Sequence, residues 1–378
     1  MITSTIESIS AIPLRYPLGA ERYGSSRGLV GARETTLVHL RTSDGVEGWG
    51  ECFGPTAAVV PLVHELAEQL RGRGLDAPGA FVTSQLQQHY HRGGGLHASA
   101  LSGLDTAMWD ALGKTLNVSV ATLLGGRTRD FVVPYASCGY VRDGQSLEEF
   151  ADELAASATG FQAAKIKCGF GPTMDSARTA AARETLGDDA FLMVDFNGNY
   201  SADQSRTSIR AMEASRPAWV EEPLAPDDVD GLRLLRPLDV ALATGEALYT
   251  RAPFRRLITE RLIDVVQPDI TKIGGLSEAR AVCEMARAWG VRVSPHVWGG
   301  GIALAAAVQL LGSIPDYPHT SNVPEPIWLE LDRGANALRD ELVTEPLSPV
   351  DGIISLPTRP GLGVDIDKAA LARLREDR

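Results

Sequence analysis

The sequence predicts an α/β protein in which a closed barrel of parallel strands follows an α+β unit at residues 1–125. After Gly125-Gly126, short apolar runs alternate with amphipathic helical patterns, which is typical of βαβ units and a parallel sheet. Seven such units occupy about 131–315, and an eighth strand is expected near 319–322. This number of units favours a closed barrel over an open sheet.

The α+β unit begins with a predicted β-hairpin. The runs TTLVHLRT and VEGWGE flank Ser43-Asp44-Gly45, and an Asp-Gly pair between two apolar runs favours a tight turn. Helical patterns follow at about 56–72, 78–90 and 98–112. The third is the clearest, because its apolar residues recur at steps of three and four: Leu101, Leu104, Met108 and Leu112.

The predicted barrel strands are the apolar runs FVVPYAS, AAKIKCG, FLMVDFN, AWVEEP, VALATGE, IDVVQPD and VRVSPH. A doubly wound sheet is the alternative, but its glycine fingerprint is missing. GWGECFG has suggestive glycines, yet it lies at the end of a hairpin strand and Pro55 follows it. We assign the barrel to 126–332. The segment 333–378, with strand-like GIISLP and a final helical pattern, is predicted to pack back on the first unit.

The composition excludes several functional classes. The formal net charge is −12, from 36 basic and 48 acidic residues, so neither a nucleic-acid partner nor an anionic membrane is expected. Four widely spaced cysteines without a CxxC pair argue against a zinc knuckle and a disulfide framework. The run MITSTIESISAIPLRYPLG lacks the apolar core of a signal peptide, and no run approaches the ~18 apolar residues of a membrane span. We expect a cytoplasmic protein.

Two lysines interrupt one of the predicted barrel strands. Lys165 and Lys167 are one residue apart in AAKIKCG, and this spacing places both side chains on the same face of a strand. Lysine is rarely buried, so an exposed edge strand is the alternative. Five of the other runs, those after AAKIKCG, also end in charged residues, one in each βα unit: Asp195, Glu221, Glu246, Asp269 and His296. Because the C-terminal ends of barrel strands converge on one mouth, we predict a functional site there.

Three of these residues are carboxylates on adjacent predicted strands: Asp195, Glu221 and Glu246. Three anions cannot share a dry pocket unless a cation compensates them. Hard oxygen ligands, with no nearby cysteine or paired histidine, indicate Mg²⁺ rather than zinc. Salt bridges to the neighbouring lysines are the alternative.

The remaining charged residues have the properties of acid–base groups. A neighbouring cation and a second ammonium both depress the pKa of a lysine, so one of the two lysines can act as a base near pH 7. Asp269 and His296 come from the sixth and seventh predicted strands. A carboxylate behind an imidazole fixes its tautomer and leaves the other nitrogen free for proton transfer. We therefore predict a lysine base on one side of the mouth and a His–Asp dyad on the other.

Taken together, the motifs resemble those of a known family. In order they are KIK at 165–167, DFN at 195–197, EEP at 221–223, GE at 245–246, QPD at 267–269, PH at 295–296 and WLE at 328–330. GWGEC near the N-terminus and PGLG at 360–363 extend the match over nearly the whole chain. No single motif is specific, but their order and spacing are. The chain resembles the mandelate-racemase-type subgroup of the enolase superfamily.

This resemblance implies a modified (β/α)₇β TIM-type barrel under an α+β capping domain. It implies Mg²⁺ bound by the carboxylate triad, Lys167 as one base and the His296–Asp269 dyad opposite. Lys165 would lie against the substrate carboxylate, and Glu330 would hydrogen-bond its other oxygen. The shared chemistry is removal of the proton α to a carboxylate, with Mg²⁺ stabilising an ene-diolate.

Further residues are expected to contact the substrate. Asn197 belongs to the DFN motif, and Trp298 follows the dyad histidine directly. Arg22, Tyr23 and Arg27 lie in a glycine-containing loop that in this family reaches over the barrel mouth. An arginine there would bind a distal carboxylate, and an ordinary solvated loop is the alternative.

A histidine-rich segment is expected to have no metal-binding role. HYHRGGGLH brings His89, His91 and His97 together in the sequence. It lies between two helical patterns and has no ordered ligand spacing, and short motifs often match by accident.

The reaction depends on the substrate. A sugar acid with a β-hydroxyl group would lose water, whereas an α-hydroxy acid without a leaving group would be racemised or epimerised. LSGLDTAMWDALGK, KIKCGFG and PHVWGGG are most similar to acid-sugar dehydratases and aldarolactone cycloisomerases, and we favour the dehydratase. A Schiff-base aldolase using Lys167 and a non-catalytic sugar-acid binder are the alternatives from other classes. We also expect a homo-oligomer.

Overall fold

The first domain combines an antiparallel sheet with helices. The chain is described from a computed structural model that covers residues 4–88, 94–317 and 325–376. The strands of this domain are β1 (Ile6–Pro17), β2 (Tyr23–Ser25), β3 (Gly28–Val30), β4 (Ala32–Thr42) and β5 (Glu47–Cys52). β1, β4 and β5 form the sheet in that order, and β4 and β5 form the predicted hairpin. β2 and β3 form a second, smaller hairpin.

The helices of this domain are α1 (Thr56–Glu68), α2 (Pro78–Leu86), α3 (Gly95–Leu116) and α4 (Val120–Leu123). Helix α3 packs on β5, where a Cβ atom at Gly48 or Gly50 would overlap carbonyl oxygens of the helix. The glycines of GWGEC therefore permit close helix–sheet packing and do not form a phosphate loop. His97 lies in α3 and is buried, whereas His89 and His91 lie outside the described residues.

The second domain is a nearly closed barrel of parallel strands. Its strands are β6 (Phe131–Ser137), β7 (Ala163–Lys167), β8 (Phe191–Asp195), β9 (Trp219–Glu221), β10 (Leu242–Thr244), β11 (Val265–Val266), β12 (Arg292–Val293) and β13 (Trp328–Asp332). They pair in the order β12-β11-β10-β9-β8-β7-β6-β13. Ser294 Oγ donates a hydrogen bond of 3.1 Å to the Trp328 carbonyl and so connects the two ends of the sheet. The fold class expected from the sequence is confirmed.

Helices separate the parallel strands along the chain. They are α5 (Leu147–Ala158), α6 (Pro172–Leu186), α7 (Ala202–Ala211), α8 (Val229–Leu235), α9 (Arg251–Thr259), α10 (Gly275–Ala288) and α11 (Gly301–Gly312), with a 3₁₀ turn at Glu213–Ser215. The strand that follows α11 in the sheet is β13. The sequence prediction placed this strand near 319–322, a segment that lies outside the described residues.

Alternation along the strands divides the barrel into an inner and an outer face. Ala164 and Ile166 of β7 contribute to the core between the sheet and the helices. Ala163 of the same strand belongs to a separate cluster inside the barrel, together with Tyr135, Met193, Trp219 and Trp328. Since side chains alternate with a period of two, Lys165 and Lys167 point into the barrel on the same side of β7 as Ala163. They lie on the C-terminal side of this apolar cluster. The edge-strand alternative is therefore wrong.

The C-terminal segment contacts both domains. It contains α12 (Ala337–Asp340), β14 (Ile354–Ser355) and α13 (Lys368–Leu374). β14 pairs with β6 of the barrel. In the first domain, the Glu376 amide donates to the Pro13 carbonyl at 3.0 Å, and the Leu362 amide donates to Asp110 Oδ1 at 2.8 Å. Within the described ranges, every helix is too short or too polar to cross a membrane.

A buried carboxyl group joins the two domains. Asp105 of α3 accepts hydrogen bonds from the Ser277 amide at 2.9 Å and the Ser277 hydroxyl at 2.7 Å, and Ser277 lies in the first turn of α10. Burial raises the pKa of Asp105 to about 7, although the hydrogen bonds from Ser277 oppose the shift. The folded chain therefore retains a proton that an unfolded carboxyl group, with a pKa of ~3.9, would release.

We expect Asp105→Asn to be more stable than the wild type at pH 8 and to lose that advantage towards pH 5. A raised carboxyl pKa stabilises the fold fully below the unfolded pKa, and this contribution is lost as pH rises through about 7. The loss is at most about 1.4 kcal/mol per pH unit. Asparagine does not titrate and can still accept from the Ser277 amide. Urea unfolding between pH 5 and 8 measures the difference, and a difference that stays constant with pH would contradict the assignment.

Candidate active site

Neighbouring strands bring the predicted residues together in register. Lys167 on β7 is paired with Asp195 on β8, and Asp195 is paired with Glu221 on β9. Glu246 follows the end of β10 and Glu330 lies within β13. Gly245 has a φ of 144°, and a Cβ atom there would overlap Phe254 and the Gln267 backbone, so only glycine places Glu246 at this point.

The three carboxylates predicted to bind a metal ion form one cluster. Asp195, Glu221 and Glu246 each offer an oxygen, and these atoms all lie within 4.8 Å of one another. The amide and the side chain of Asn197 donate to the two oxygens of Asp195, at 2.8 and 3.0 Å. Gln267 Nε2 donates to Glu221 Oε2 at 2.5 Å. These contacts orient two of the three carboxylates.

Lys165 lies at the base of the cluster. Its side chain is fully buried, and its Nζ lies 2.5 Å from Glu221 Oε1 and 2.7 Å from Glu330 Oε1. Burial alone lowers the pKa of Lys165, but the two carboxylates outweigh burial and raise it well above the ordinary value. Burial likewise opposes the charged form of Glu330, but Lys165 and His296 lower the pKa of Glu330 to about 2. Lys165 and Glu330 are thus a buried ion pair.

Lys167 lies above Lys165 on the same face of β7. Its Nζ is 2.5 Å from Asp195 Oδ2 and 5.7 Å from the centre of the Tyr140 ring. Burial and Lys165 both lower the pKa of Lys167, yet Asp195 and the other carboxylates raise it above the ordinary value. The sequence analysis expected a lowered lysine pKa, but the chain alone raises the pKa of Lys167. A cation bound to Asp195 would offset the effect of that carboxylate on Lys167.

The predicted histidine dyad is present on the opposite side. His296 Nδ1 lies 2.8 Å from Asp269 Oδ2, and His296 Nε2 lies 3.1 Å from Glu246 Oε2 in an ion-pair contact. Asp269 Oδ1 accepts from the amide and the hydroxyl of Thr271 at 2.8 and 2.6 Å. Burial alone lowers the pKa of His296, but Glu246, Glu330 and Asp269 outweigh burial and raise it. The dyad is therefore oriented with Nε2 towards the carboxylate cluster.

The charges of the cluster fit a metal cation. Five carboxylates meet here with three lysines and one imidazole: Asp195, Glu221, Glu246, Asp269 and Glu330 with Lys165, Lys167, Lys272 and His296. Burial raises the pKa of Glu221 to about 7, and Asp195, Glu330 and Glu246 add to the effect while Lys165 opposes it. Glu246 Oε2 is buried, and among the described residues no contact to it, including that of His296 Nε2, has hydrogen-bond geometry. An excess of buried anions with unshared oxygen lone pairs is the donor set that a hard divalent cation requires.

A cavity of about 270 Å³ opens onto these groups. Among its lining residues are Arg27, Phe53, Tyr140, Lys167, Asn197, Glu246, Lys272, His296 and Trp298. The wall thus contains both predicted proton-transfer groups and one predicted metal ligand. Sites for drug-sized ligands measure ~300–1,000 Å³, so this cavity suits a small polar metabolite.

The structure brings most of the predicted substrate contacts to this cavity. Asn197, Trp298 and Arg27 line it. Asn197 Oδ1 is buried, and no donor within the described ranges reaches it. Arg27 Nε donates to the Asn197 carbonyl at 2.6 Å and fixes the β2–β3 hairpin over the mouth.

Two predicted contacts lie elsewhere. Tyr23 is fully buried, and its hydroxyl accepts from Arg33 at 2.7 Å and donates to the Ala335 carbonyl at 3.1 Å. Arg22 is exposed and pairs with Asp143 at 3.0 Å. Neither is among the residues that line the cavity, so the structure assigns Tyr23 to the domain interface and Arg22 to the surface.

Sequence reasoning missed four residues at the site: Gln267, Tyr140, Phe53 and Lys272. Gln267 stands inside the QPD motif and binds Glu221, so its position two residues before Asp269 was an available signal. Tyr140 accepts from Trp298 Nε1 at 3.1 Å and donates to Asp332 at 2.7 Å. Phe53 and Lys272 meet only because the capping domain covers the loop after β11.

Comparisons with known proteins agree with this geometry. The family model "Mandelate racemase / muconate lactonizing enzyme, N-terminal domain" matches residues 20–125, and "Enolase C-terminal domain-like" matches residues 147–370. A D-galactarolactone cycloisomerase of Agrobacterium fabrum is 36% identical over 349 residues, which are 91% of this chain and 92% of that protein. A D-galactonate dehydratase of Xanthomonas euvesicatoria pv. vesicatoria is 32% identical over 90% of this chain and 91% of that protein.

A solved structure extends the agreement to three dimensions. The crystal structure of the 3,6-anhydro-D-galactonate cycloisomerase from Zobellia galactanivorans is similar, with a TM-score of 0.87 and 32% sequence identity. The match covers 99% of this chain and 100% of that one. The chain therefore belongs to the mandelate racemase and muconate lactonizing enzyme family of the enolase superfamily.

Proposed function

We propose that this protein is a Mg²⁺-dependent enzyme that removes the proton α to the carboxylate of a sugar acid and eliminates water from the neighbouring carbon. The observation that carries this proposal is the cavity wall, where Lys167, Glu246 and His296 meet. One wall thus offers two proton-transfer groups from different strands beside a carboxylate cluster. Among relatives, the galactonate dehydratase acts on a sugar acid by name.

The metal site is assigned to Asp195, Glu221 and Glu246. The triad offers only carboxylate oxygens, with neither cysteine nor histidine, and this donor set favours Mg²⁺ over zinc. When bound, Mg²⁺ would neutralise the negative charge that develops on the substrate carboxylate as the α-proton leaves. It would also neutralise Asp195, the carboxylate that holds Lys167 protonated in the chain alone.

The chain's own residues then have distinct tasks. Lys167 accepts the α-proton from one side of the cavity. Asp269 holds the Nδ1 proton of His296, so Nε2 remains to transfer a proton to the departing hydroxyl group. Asn197 Oδ1, which has no donor, accepts from a substrate hydroxyl. Lys165 keeps Glu221 and Glu330 in place from below, and its contact with the substrate carboxylate remains a prediction.

A cycloisomerase acting on a sugar lactone is the second candidate. The galactarolactone cycloisomerase has the higher sequence identity of the two curated relatives described above, and both reactions begin with the same proton abstraction. Aldonic acids, aldaric acids and aldarolactones should be tested with Mg²⁺, with detection of 2-keto acid products. Product from a lactone alone would support the cycloisomerase, and α-epimer formation without a keto acid would support a racemase or epimerase.

The Schiff-base alternative leaves the carboxylate cluster without a role. A Schiff-base lysine needs a neutral amine, as a lysine base also does, but it makes no use of Asp195, Glu221 and Glu246, whose oxygens lie within 4.8 Å of one another. Borohydride trapping of substrate on the enzyme would support the aldolase hypothesis, and loss of activity in EDTA would oppose it. A non-catalytic binder would show ligand affinity without α-proton exchange in D₂O.

The two proton-transfer groups are expected to act on opposite stereoisomers. In D₂O with Mg²⁺, Lys167→Ala should lose α-proton exchange with one α-epimer of an active substrate, and His296→Asn should lose it with the other. Each loss should be about 10²-fold, because one positioned acid or base contributes that much or more. NMR of both epimers measures the exchange. Equal losses for both epimers in both variants would show that the residues share one role.

A cytoplasmic homo-oligomer remains a prediction. Multi-angle light scattering of the purified protein measures the assembly size.

A further inference from the structure

Arg178 is a buried cation to which the proposed mechanism gives no role. It lies in α6 and is 6% exposed, and its hydrogen bonds go to backbone carbonyls rather than to a carboxylate. Its guanidinium lies 4.0 Å from the centre of the Phe150 ring and 5.5 Å from that of the Phe170 ring. Burial lowers the pKa of Arg178, but an arginine stays charged near neutral pH. A buried cation is costly unless strong contacts compensate it, so the groups that Arg178 binds indicate its role.

The guanidinium binds the backbone of the proposed base. Arg178 Nε donates to the Lys167 carbonyl at 2.9 Å, and a terminal nitrogen donates to the Gly139 carbonyl at 2.7 Å. The Gly139 carbonyl also accepts from the Lys167 amide at 3.2 Å. Gly139 directly precedes Tyr140, whose ring centre lies 5.7 Å from the Lys167 ammonium. Arg178 therefore joins the two chain segments that carry Lys167 and Tyr140 to the cavity.

The contact replaces a backbone partner at the end of β7. Lys167 is the last residue of that strand. On the neighbouring segment, the Val141 amide donates to the Gly24 carbonyl of the β2–β3 hairpin at 3.0 Å. The segment that pairs with β7 thus turns away just after Gly139, and the Lys167 carbonyl takes its donor from the Arg178 side chain. The position of this strand end therefore depends on a side chain of α6.

A different side chain of α6 fixes the loop that follows Lys167. Asp175 Oδ1 accepts from the Gly169 amide at 2.9 Å, and Asp175 Oδ2 accepts from the Tyr200 hydroxyl at 2.6 Å. These donors engage both carboxylate oxygens, so Asp175 serves the loop rather than the guanidinium. Of these two side chains, Arg178 is the one that contacts Lys167.

We propose that Arg178 is a positioning residue for Lys167, which fixes the end of β7 so that the lysine amine reaches the α-proton of the substrate. This inference rests on the proposed function, in which Lys167 is one of the two proton-transfer groups. The planar guanidinium holds two carbonyls at once in a fixed geometry, which a lysine ammonium does not reproduce. Such precision matters because a misplacement of about 1 Å can cost 10²-fold in rate.

The test compares α-proton exchange of the two epimers in D₂O with Mg²⁺. Arg178→Lys should lower the exchange that depends on Lys167 by about 10²-fold, and Arg178→Met, which loses both carbonyl contacts, should lower it further. The loss should appear in the rate at saturating substrate rather than in KM. Exchange of the epimer that depends on His296 should change little in both variants. NMR of each epimer measures these rates.

Arg183 of the same helix provides a matched control. Its guanidinium also donates to backbone carbonyls, those of Ser215 at 3.0 Å and Ala190 at 2.7 Å. Ala190 directly precedes β8, at the end of the strands opposite to the site. Arg183→Lys should therefore leave both exchange reactions unchanged. Equal losses for both epimers in Arg178→Lys, or wild-type exchange with both, would overturn the proposal.

A crystal structure of Arg178→Met tests the positioning without turnover, and Arg178→Lys replaces it if the methionine variant does not fold. Lys167 Nζ should move by about 1 Å from its place 2.5 Å from Asp195 Oδ2. An unmoved lysine would overturn the proposal. A wild type that exchanges neither epimer would overturn the proposed function, whereas a displaced lysine in the variant would still support the role of Arg178.

Discussion

Replacement of Glu221 by glutamine is expected to lower turnover by more than about 10³-fold and to weaken Mg²⁺ binding in parallel. The variant removes one of three anions whose oxygens lie within 4.8 Å of one another, and a bound metal ion contributes several kcal/mol of transition-state stabilisation. Calorimetric titration with Mg²⁺ and a 2-keto acid assay measure the two effects. Removal of divalent ions with EDTA should abolish activity in the wild type, and added Mg²⁺ should restore it.

The surroundings of Glu221 should accept the glutamine without unfolding. Gln267 donates its Nε2 to Glu221, and its Oε1 has no hydrogen-bond partner in the part of the chain that the structure describes. Rotation of the Gln267 amide would offer that oxygen to the new amide group. Lys165 would keep its ion pair with Glu330, in which Nζ lies 2.7 Å from Oε1. Loss of activity with normal circular dichroism would therefore report on the metal site.

A matched control is available on the barrel exterior. Glu184→Gln makes the same change at an exposed position of α6 and should retain metal affinity and turnover. If Glu221→Gln keeps wild-type turnover, or if the wild type works after complete metal removal, the triad has no part in the reaction.

The alternation of side chains explains why the barrel site was predictable. Once Lys165 and Lys167 are placed on a strand, a period of two puts both on one face, and the flanking Ala164 and Ile166 mark the other face as the apolar one. The register of parallel strands then brings Lys167 next to Asp195, and Asp195 next to Glu221. Local rules were sufficient because each residue lies in or directly after its strand.

The last barrel strand, β13 at Trp328–Asp332, was not recognised as a strand in the sequence. Inside WLELD, Glu330 and Asp332 are both buried and charged. Glu330 pairs with Lys165, and Asp332 pairs with Arg33 of the first domain at 2.8 Å. These charges interrupt the apolar pattern by which a buried strand is recognised. Their partners come from distant parts of the chain, so no local sequence pattern indicates these two ion pairs.

The positions of the side chains in the β2–β3 hairpin also depend on tertiary contacts. Arg27 and Tyr23 are four residues apart, yet Arg27 lines the cavity whereas the side chain of Tyr23, in β2, is fully buried. The difference follows from Arg33, which lies 3.6 Å above the Trp298 ring and donates to Tyr23 and Asp332. No local pattern indicates that Arg33 joins the domains at this point.

Replacement of Lys167 by arginine is expected to abolish lysine-dependent proton transfer, with a loss of up to about 10⁴-fold. Arginine keeps the positive charge opposite Asp195, which lies 2.5 Å from the present ammonium, but it does not release its proton. Thermal stability should therefore change little, whereas Mg²⁺ affinity should fall, because the arginine cannot lose its charge beside the bound cation. α-Proton exchange in D₂O, measured for the epimer that depends on Lys167, reports the loss directly.

The same replacement at Lys165 separates the two lysines. Lys165 is fully buried between Glu221 and Glu330 and does not line the cavity. Arginine at position 165 keeps a cation between these carboxylates, and its larger volume costs about 1–3 kcal/mol of packing. Lys165→Arg should therefore retain measurable exchange with both epimers, whereas Lys167→Arg should not do so with its own. An active Lys167→Arg variant beside an inactive Lys165→Arg variant would move the base to Lys165, because the residue that accepts the proton is the one that arginine cannot replace.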